Sequence, residues 1–237
     1  MIYVRHAGTG AAVVLVHGLG VSGTYFGPLA KVLARRRRLV APDLPGWGRS
    51  PRPEHALDIA SAGRVLAGVI AAEALVAPMV VANSLGCQIA LELADRRPDL
   101  VGRLVLISPT VDPHYRSAAR QAWTFARDFL REPAGLWPIV ARDYWTMGTR
   151  RIYTTAMHAL ADRPEEKLPG IEAPVLVVRG DRDTTTTRAW AERCAELAPS
   201  GRFEPIHGAA HASHFSHPHE VAELVLRFAA EGADHRG

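Results

Sequence analysis

Two cysteines in 237 residues, Cys87 and Cys194, are too few and too far apart for a C-x-x-C redox or zinc motif, and they offer no disulfide framework. Long apolar runs are missing as well. No stretch approaches the roughly 18 residues that a membrane helix needs, and Met1-Ile2-Tyr3-Val4-Arg5-His6 lacks the apolar region of a secretory signal. Both absences point to a cytoplasmic protein with no membrane partner. Lysine is scarce: Lys31 and Lys167 are the only two among 28 basic residues, and 24 acidic residues leave a net charge of +4. So small a surplus predicts no nucleic-acid partner, and the one dense basic run, Arg35 to Arg38, reads as a solvated helix end.

What remains is an ordinary globular composition, 48% hydrophobic, at a length where one core grows without splitting. Short runs rich in Val, Leu and Ile alternate with longer amphipathic stretches, which predicts α/β architecture with a mostly parallel sheet covered on both faces. The expected strands are Ile2 to Arg5, Ala12 to Val16, Arg38 to Ala41, Met79 to Ala82, Leu104 to Ile107, Val175 to Arg179 and Arg202 to Ile206. Helices are expected near Tyr25 to Ala34, Ile59 to Ala74, Leu85 to Arg96, Arg188 to Leu197 and His219 to Ala230. Residues 111–168 break this rhythm with helical spacing and no strand-like run, so they read as an insertion into a core formed by residues 1–110 and 169–237. That insertion is rich in aromatic residues, and as a group they suit a lid over an apolar pocket. Trp123, Phe129, Trp137 and Trp145 are the candidate pocket residues.

The chemistry concentrates at Met79-Val80-Val81-Ala82-Asn83-Ser84-Leu85-Gly86-Cys87, where a buried-strand pattern runs directly into a helix pattern with a serine at the junction. Small residues two before and two after that serine, Ala82 and Gly86, permit the sharp strained turn of a nucleophile elbow. Cys87, one position into the helix, reads as packing. Serine is a weak nucleophile unless a base, itself oriented by a third group, takes its proton. The strand ending in Gly180-Asp181-Arg182-Asp183 supplies carboxylates, and the segment His207-Gly208-Ala209-Ala210-His211-Ala212-Ser213-His214 supplies imidazoles, in the chain order serine, acid, histidine. The Gly-rich turn after Val13 to Val16, together with the residue after the serine, nominates the backbone N–H groups of Leu19 and Leu85 as an oxyanion hole. Five histidines crowd residues 207–219, but no H-E-x-x-H pattern accompanies them and no metal is expected.

Taken with Asp43-Leu44-Pro45-Gly46-Trp47-Gly48-Arg49-Ser50 and the pair His17-Gly18, these motifs resemble the α/β-hydrolase superfamily over nearly the whole chain outside the insertion. The resemblance implies a doubly wound sheet with a helical cap inserted near Ile107, and a first strand that is trimmed. It selects Asp183 over Asp181 and His211 over His214, and it makes His17 and Asp43 structural supports of their loops. The implied activity is a cofactor-free serine hydrolase, with Ser84, His211 and Asp183 as catalytic residues, acting on a small apolar or aromatic ester, lactone or thioester. Other activities carried by this fold are carbon-carbon bond hydrolysis of diketones, perhydrolase, lyase or cyclase chemistry, and non-enzymatic ligand reception. The expected partner is a small-molecule substrate, with the chain as a monomer or homodimer.

Overall fold

The computed structural model describes residues 1–231. Seven strands form one sheet: β1 (Val4–Ala7), β2 (Ala12–Val16), β3 (Arg38–Pro42), β4 (Met79–Asn83), β5 (Arg103–Ile107), β6 (Val175–Gly180) and β7 (Gly201–Ile206). Ten α-helices accompany them: α1 (Gly27–Leu33), α2 (Ile59–Ala72), α3 (Leu85–Arg96), α4 (Ala118–Phe129), α5 (Trp137–Met147), α6 (Thr149–Ala161), α7 (Pro164–Lys167), α8 (Arg188–Leu197), α9 (Ser213–Ser216) and α10 (Pro218–Ala230). The spatial order is β1-β3-β2-β4-β5-β6-β7, with β1 antiparallel to β3 and every other pairing parallel.

Why the strands read as unbroken apolar runs is visible in the two cores. Along β2, Val14 and Val16 join Val80, Leu104 and Val177 beneath α2, α3 and α8, where Leu66, Ile89 and Trp190 pack. The alternate residues Val13 and Leu15 join Val81, Val105 and Val178 against Leu29 and Leu33 of α1 and Val225 and Phe228 of α10. Successive side chains on a strand point to opposite faces, so a sheet covered on both sides needs apolar residues at every position. β1 departs from this because it is an edge strand with half-exposed and exposed residues. It begins at Val4 rather than Ile2, since the Tyr3 carbonyl is taken by Asp43 N–H at 2.9 Å and the Tyr3 N–H by Ser50 Oγ at 2.9 Å.

The winding reverses beside β2. From β2 the chain moves outward to β3 and then crosses back to β4 on the other flank, so the carboxyl ends of β2 and β4 frame the crevice where doubly wound sheets bind ligands. Between β5 and β6 the chain leaves the sheet and forms α4 to α7 with no strand. Among the described residues, no helix is long and apolar enough to cross a membrane.

Candidate active site

Ser84 stands where β4 meets α3, at φ 57° and ψ −123°. That conformation is costly for a side-chain-bearing residue, of order 1–3 kcal/mol, and persists only where the surroundings impose it. Two constraints do so here. The Ser84 N–H is held by the Ile107 carbonyl at 3.0 Å. Two residues on, a Cβ at Gly86 would lie 2.4 Å from the Val16 carbonyl oxygen, so only glycine lets the first turn of α3 dock on the end of β2. The Cys87 thiol is buried, pointing to the carbonyls of Ala82 and Ile107, and burial raises its pKa far above the ordinary thiol value, as packing predicts.

The histidine and the acid arrive on the loops after β7 and β6. Nδ1 of His211 donates to Oδ2 of Asp183 at 3.0 Å, with both residues buried. Oδ1 of Asp183 accepts the N–H groups of Thr185 and Thr186 at 2.8 and 2.9 Å. Burial pushes this carboxyl upward, but the His211 charge and these hydrogen bonds outweigh it and hold it below the usual range. Gly180 is required for the approach of the two loops, because a Cβ there would sit 2.3 Å from the carbonyl oxygens of Ala209 and Ala210. Asn83 ties the same loop to the sheet by donating to the carbonyls of Ile107 and His211 at 3.2 and 3.4 Å.

Of the two links expected between the candidate triad residues, imidazole to carboxylate is made and hydroxyl to imidazole is not. Nε2 of His211 is buried without a hydrogen-bond partner, while Ser84 and His211 line one cavity of about 470 Å³. In enzymes without substrate such contacts are often open and tighten in the complex. Leu19 and Leu85 line the same cavity. The turn carrying Leu19 is set by His17, whose Nδ1 donates to the Gly18 carbonyl and whose Nε2 accepts the Leu44 N–H, both at 3.1 Å. That pattern fixes a neutral tautomer, and burial lowers the imidazole pKa accordingly. Asp43 fastens its own loop by accepting Gly23 N–H at 2.8 Å and Arg49 N–H at 2.9 Å and by pairing with Arg5.

The competing candidates separate cleanly. Asp181 faces outward, accepting Gly208 N–H at 2.8 Å beside the exposed His207. His214 is buried against the rings of Tyr25 and Phe26, and burial drives it down to about 3, so it stays neutral. The pocket candidates need correction. Phe129 does line the cavity, but Trp123, Trp137 and Trp145 do not, being 69%, 41% and 89% exposed. On α4 the inward positions are Phe125 and Phe129, one turn apart, and Trp123 shares the outer face with Arg120 and Arg127. Those flanking arginines were the legible sign of a solvated face. Trp137 stacks on Phe129 at 5.7 Å as an outer support. Tyr25, Tyr144 and Tyr153 add to the aromatic lining.

Three further contributors escape sequence reasoning. Arg179, buried at the end of β6, donates to the carbonyls of Thr186 and Asp183 at 2.7 and 2.6 Å and shapes the acid loop. A charged residue closing an otherwise apolar strand was its only signal. Asp128 and Glu132, from α4 and the turn after it, are buried in the cavity wall next to His211, with no sequence signal at all.

A family model described as alpha/beta hydrolase family matches residues 13–224. The chain is 28% identical over 260 residues to a pimeloyl-(acyl-carrier protein) methyl ester esterase of Aeromonas hydrophila, covering 96% of this chain and 98% of that one. Among solved structures it is similar to an esterase from Exiguobacterium antarcticum, with TM-score 0.84, 19% identity, and coverage of 96% and 94%. It is also similar to an enol-lactonase from Burkholderia xenovorans LB400, with TM-score 0.79, 19% identity, and coverage of 97% and 96%. At that identity the two structures speak to the fold.

Proposed function

Because the chain belongs to the alpha/beta hydrolase family, we propose that it is a serine hydrolase cleaving an ester, lactone or thioester of a small apolar or aromatic substrate. Ser84 attacks the carbonyl while His211 takes its proton through Nε2. Asp183 holds the imidazole in the required tautomer and stabilises the imidazolium. The N–H groups of Leu19 and Leu85 meet the oxygen that becomes negative, where the preorganised dipoles and the amino end of α3 act at low dielectric. Collapse expels the leaving group with the proton from His211, leaving an acyl-serine. Water, activated by the same imidazole, then releases the acid.

The observation that carries this reading is the buried His211–Asp183 pair, its Nε2 unpartnered, in the wall of the cavity that the strained Ser84 also lines. The lining supports the substrate class: apolar and aromatic side chains such as Val21, Phe125, Leu136 and Ile152 offer area and shape rather than charge. The Aeromonas relative, by its name an ester hydrolase, supports a carboxylic ester as the first substrate to try.

Activity profiling with aryl esters of graded acyl length, lactones, thioesters and diketones tests the reading, with Ser84→Ala as control. The variant is expected to lose about 10⁶-fold in kcat on the best ester and to resist labelling by a serine-directed fluorophosphonate. Labelling undiminished by the substitution rejects the assignment, and diketone cleavage faster than ester cleavage replaces the bond type.

A further inference from the structure

Asp128 and Glu132 are buried, four residues apart, and neither meets a lysine or arginine within salt-bridge distance among the described residues. Carboxylates taken from water without a cation are costly, so apolar contacts would fasten this stretch of chain more cheaply. Three of their four oxygens accept backbone N–H groups of the two loops that carry Asp183 and His211, while Oε2 of Glu132 is buried without a partner. Oδ1 of Asp128 accepts Thr184 N–H at 2.9 Å, and its Oδ2 accepts His211 N–H at 3.0 Å. Oε1 of Glu132 accepts Ala212 N–H at 2.6 Å.

We propose that Asp128 is a positioning residue for the hydrolysis, its carboxylate tying the Asp183 loop and the His211 loop to one helix, with Glu132 extending the hold to Ala212. The inference rests on the reading of Ser84, His211 and Asp183 as the catalytic set. The two loops come from different strands and are also joined by the imidazole-carboxylate bond, by the approach at Gly180, and by Arg182 N–H to the Ala209 carbonyl and Gly208 N–H to Oδ1 of Asp181, at 2.9 and 2.8 Å, both links lying before Asp183 and His211 in their loops. A single rigid acceptor shared by one N–H from each loop fixes their relative placement, which sets where Nε2 stands with respect to Ser84. Because Phe125 and Phe129 of the same helix line the cavity, substrate seated there presses on the element that holds His211.

The same geometry places negative charge beside the imidazole. The ionisable groups facing His211 are Asp183 from the loop after β6, Asp128 and Glu132 from α4 and its turn, and His214 from α9. His214 is neutral, and burial with the neighbouring Asp128 raises Glu132 to about 7, so the field at His211 comes from Asp183 and Asp128, with Glu132 adding to it only as pH rises through that value. Removing the Asp128 charge then makes the imidazole easier to deprotonate and moves the acid limb of kcat/KM to lower pH. A residue that served only to hold the fold together would leave that limb in place.

Asp128→Asn keeps the shape but offers one oxygen to two N–H groups, and Asp128→Ala offers none. Kinetics on an aryl ester across pH are expected to show kcat falling about 10²-fold in the alanine variant, as for a small misplacement of a catalytic group. KM is expected to change little, and the acid limb to shift downward in the asparagine variant. Wild-type kcat in both variants, or a loss of kcat with the acid limb unmoved, overturns the proposal. Ser84→Ala separates the failures: if it retains turnover the catalytic reading falls first, and if it is inactive while both Asp128 variants are unimpaired, only this inference falls. Should the variants misfold, amide hydrogen exchange on the wild-type protein decides. The N–H groups of Thr184, His211 and Ala212 are expected to exchange slowly and together, and rapid exchange at His211 overturns the hold.

Discussion

Burial alone drives an imidazole toward its neutral form, yet His211 is raised to about 9. Desolvation is the largest influence and works downward. It is outweighed by the charge and hydrogen bond of Asp183, with Asp128 and Glu132 adding in the same direction. In the proposed mechanism the base that accepts the Ser84 proton is the neutral imidazole, which gains population as pH rises through its pKa, and this fixes the sign of the consequence. Esterase activity is therefore expected to climb with pH well beyond the ordinary imidazole value of about 6.5. A kcat/KM profile already level at pH 7 would contradict the charge environment described for His211. The folding contribution runs the other way: a raised imidazole pKa stabilises the native state below the unfolded value and loses that stabilisation as pH rises through the folded one.

Helix α4 presents two faces with opposite tasks. Its inner face carries Phe125 and Phe129 into the cavity and brings Asp128 to the histidine loop, whereas its outer face carries Arg120, Trp123 and Arg127. Aromatic content suggested a pocket, but only angular position around the helix says which rings reach it. Trp123→Ala and Trp145→Ala are thus expected to leave ester kcat/KM unchanged and stability within about 0.5 kcal/mol. Phe125→Ala and Phe129→Ala should each lose about 1–2 kcal/mol of kcat/KM toward an apolar acyl chain through lost burial. Steady-state kinetics and thermal melts on the four variants measure both, and equal effects from the outer and inner rings would refute the orientation. The elbow behaves differently from α4, because Ala82, Ser84 and Gly86 lie within one local turn and their pattern reads directly from sequence.

Over the whole molecule, the segment between β5 and β6 is fastened back to the sheet layer at several points, one of them a largely buried lysine centre. Lys167, one of the chain's two lysines, reaches Glu92 of α3 at 2.7 Å and Asp162 at 2.5 Å, all three being largely buried. Burial holds Asp162 above the usual carboxylate value despite the ammonium, so one cation is compensating two acids in a drying environment. Removing it leaves Asp162 unpaired and Glu92 with only the exposed Arg96, 3.4 Å away. Lys167→Met is expected to cost about 3 kcal/mol, as for other broken buried pairs, seen as a lower urea midpoint, and a midpoint equal to wild type would show the centre to be dispensable. The winding reversal between β2 and β4 acts at the same scale, bringing the Gly18-Leu19 turn beside Ser84, with Gly18 so close that a Cβ there would lie 3.1 Å from the Ser84 Cβ.

Residue order alone determined six of the seven strands and the elbow, with the edge strand β1 displaced by two residues, because two-sided burial writes unbroken apolar runs and a tight turn writes small residues at fixed offsets. The chain order of serine, acid and histidine was legible for the same reason: each sits just beyond a recognisable strand. Tertiary structure decided what depends on contacts between distant residues. Asp128 meets Thr184 across 56 positions and His211 across 83, and no local pattern records such a meeting. Which aromatic rings face the cavity, why Asp181 stays outside, and how strongly His211 is held in its charged form all follow from packing. Burial and Coulomb interactions act through space, and one-dimensional spacing carries only those consequences that fall within a turn or a strand.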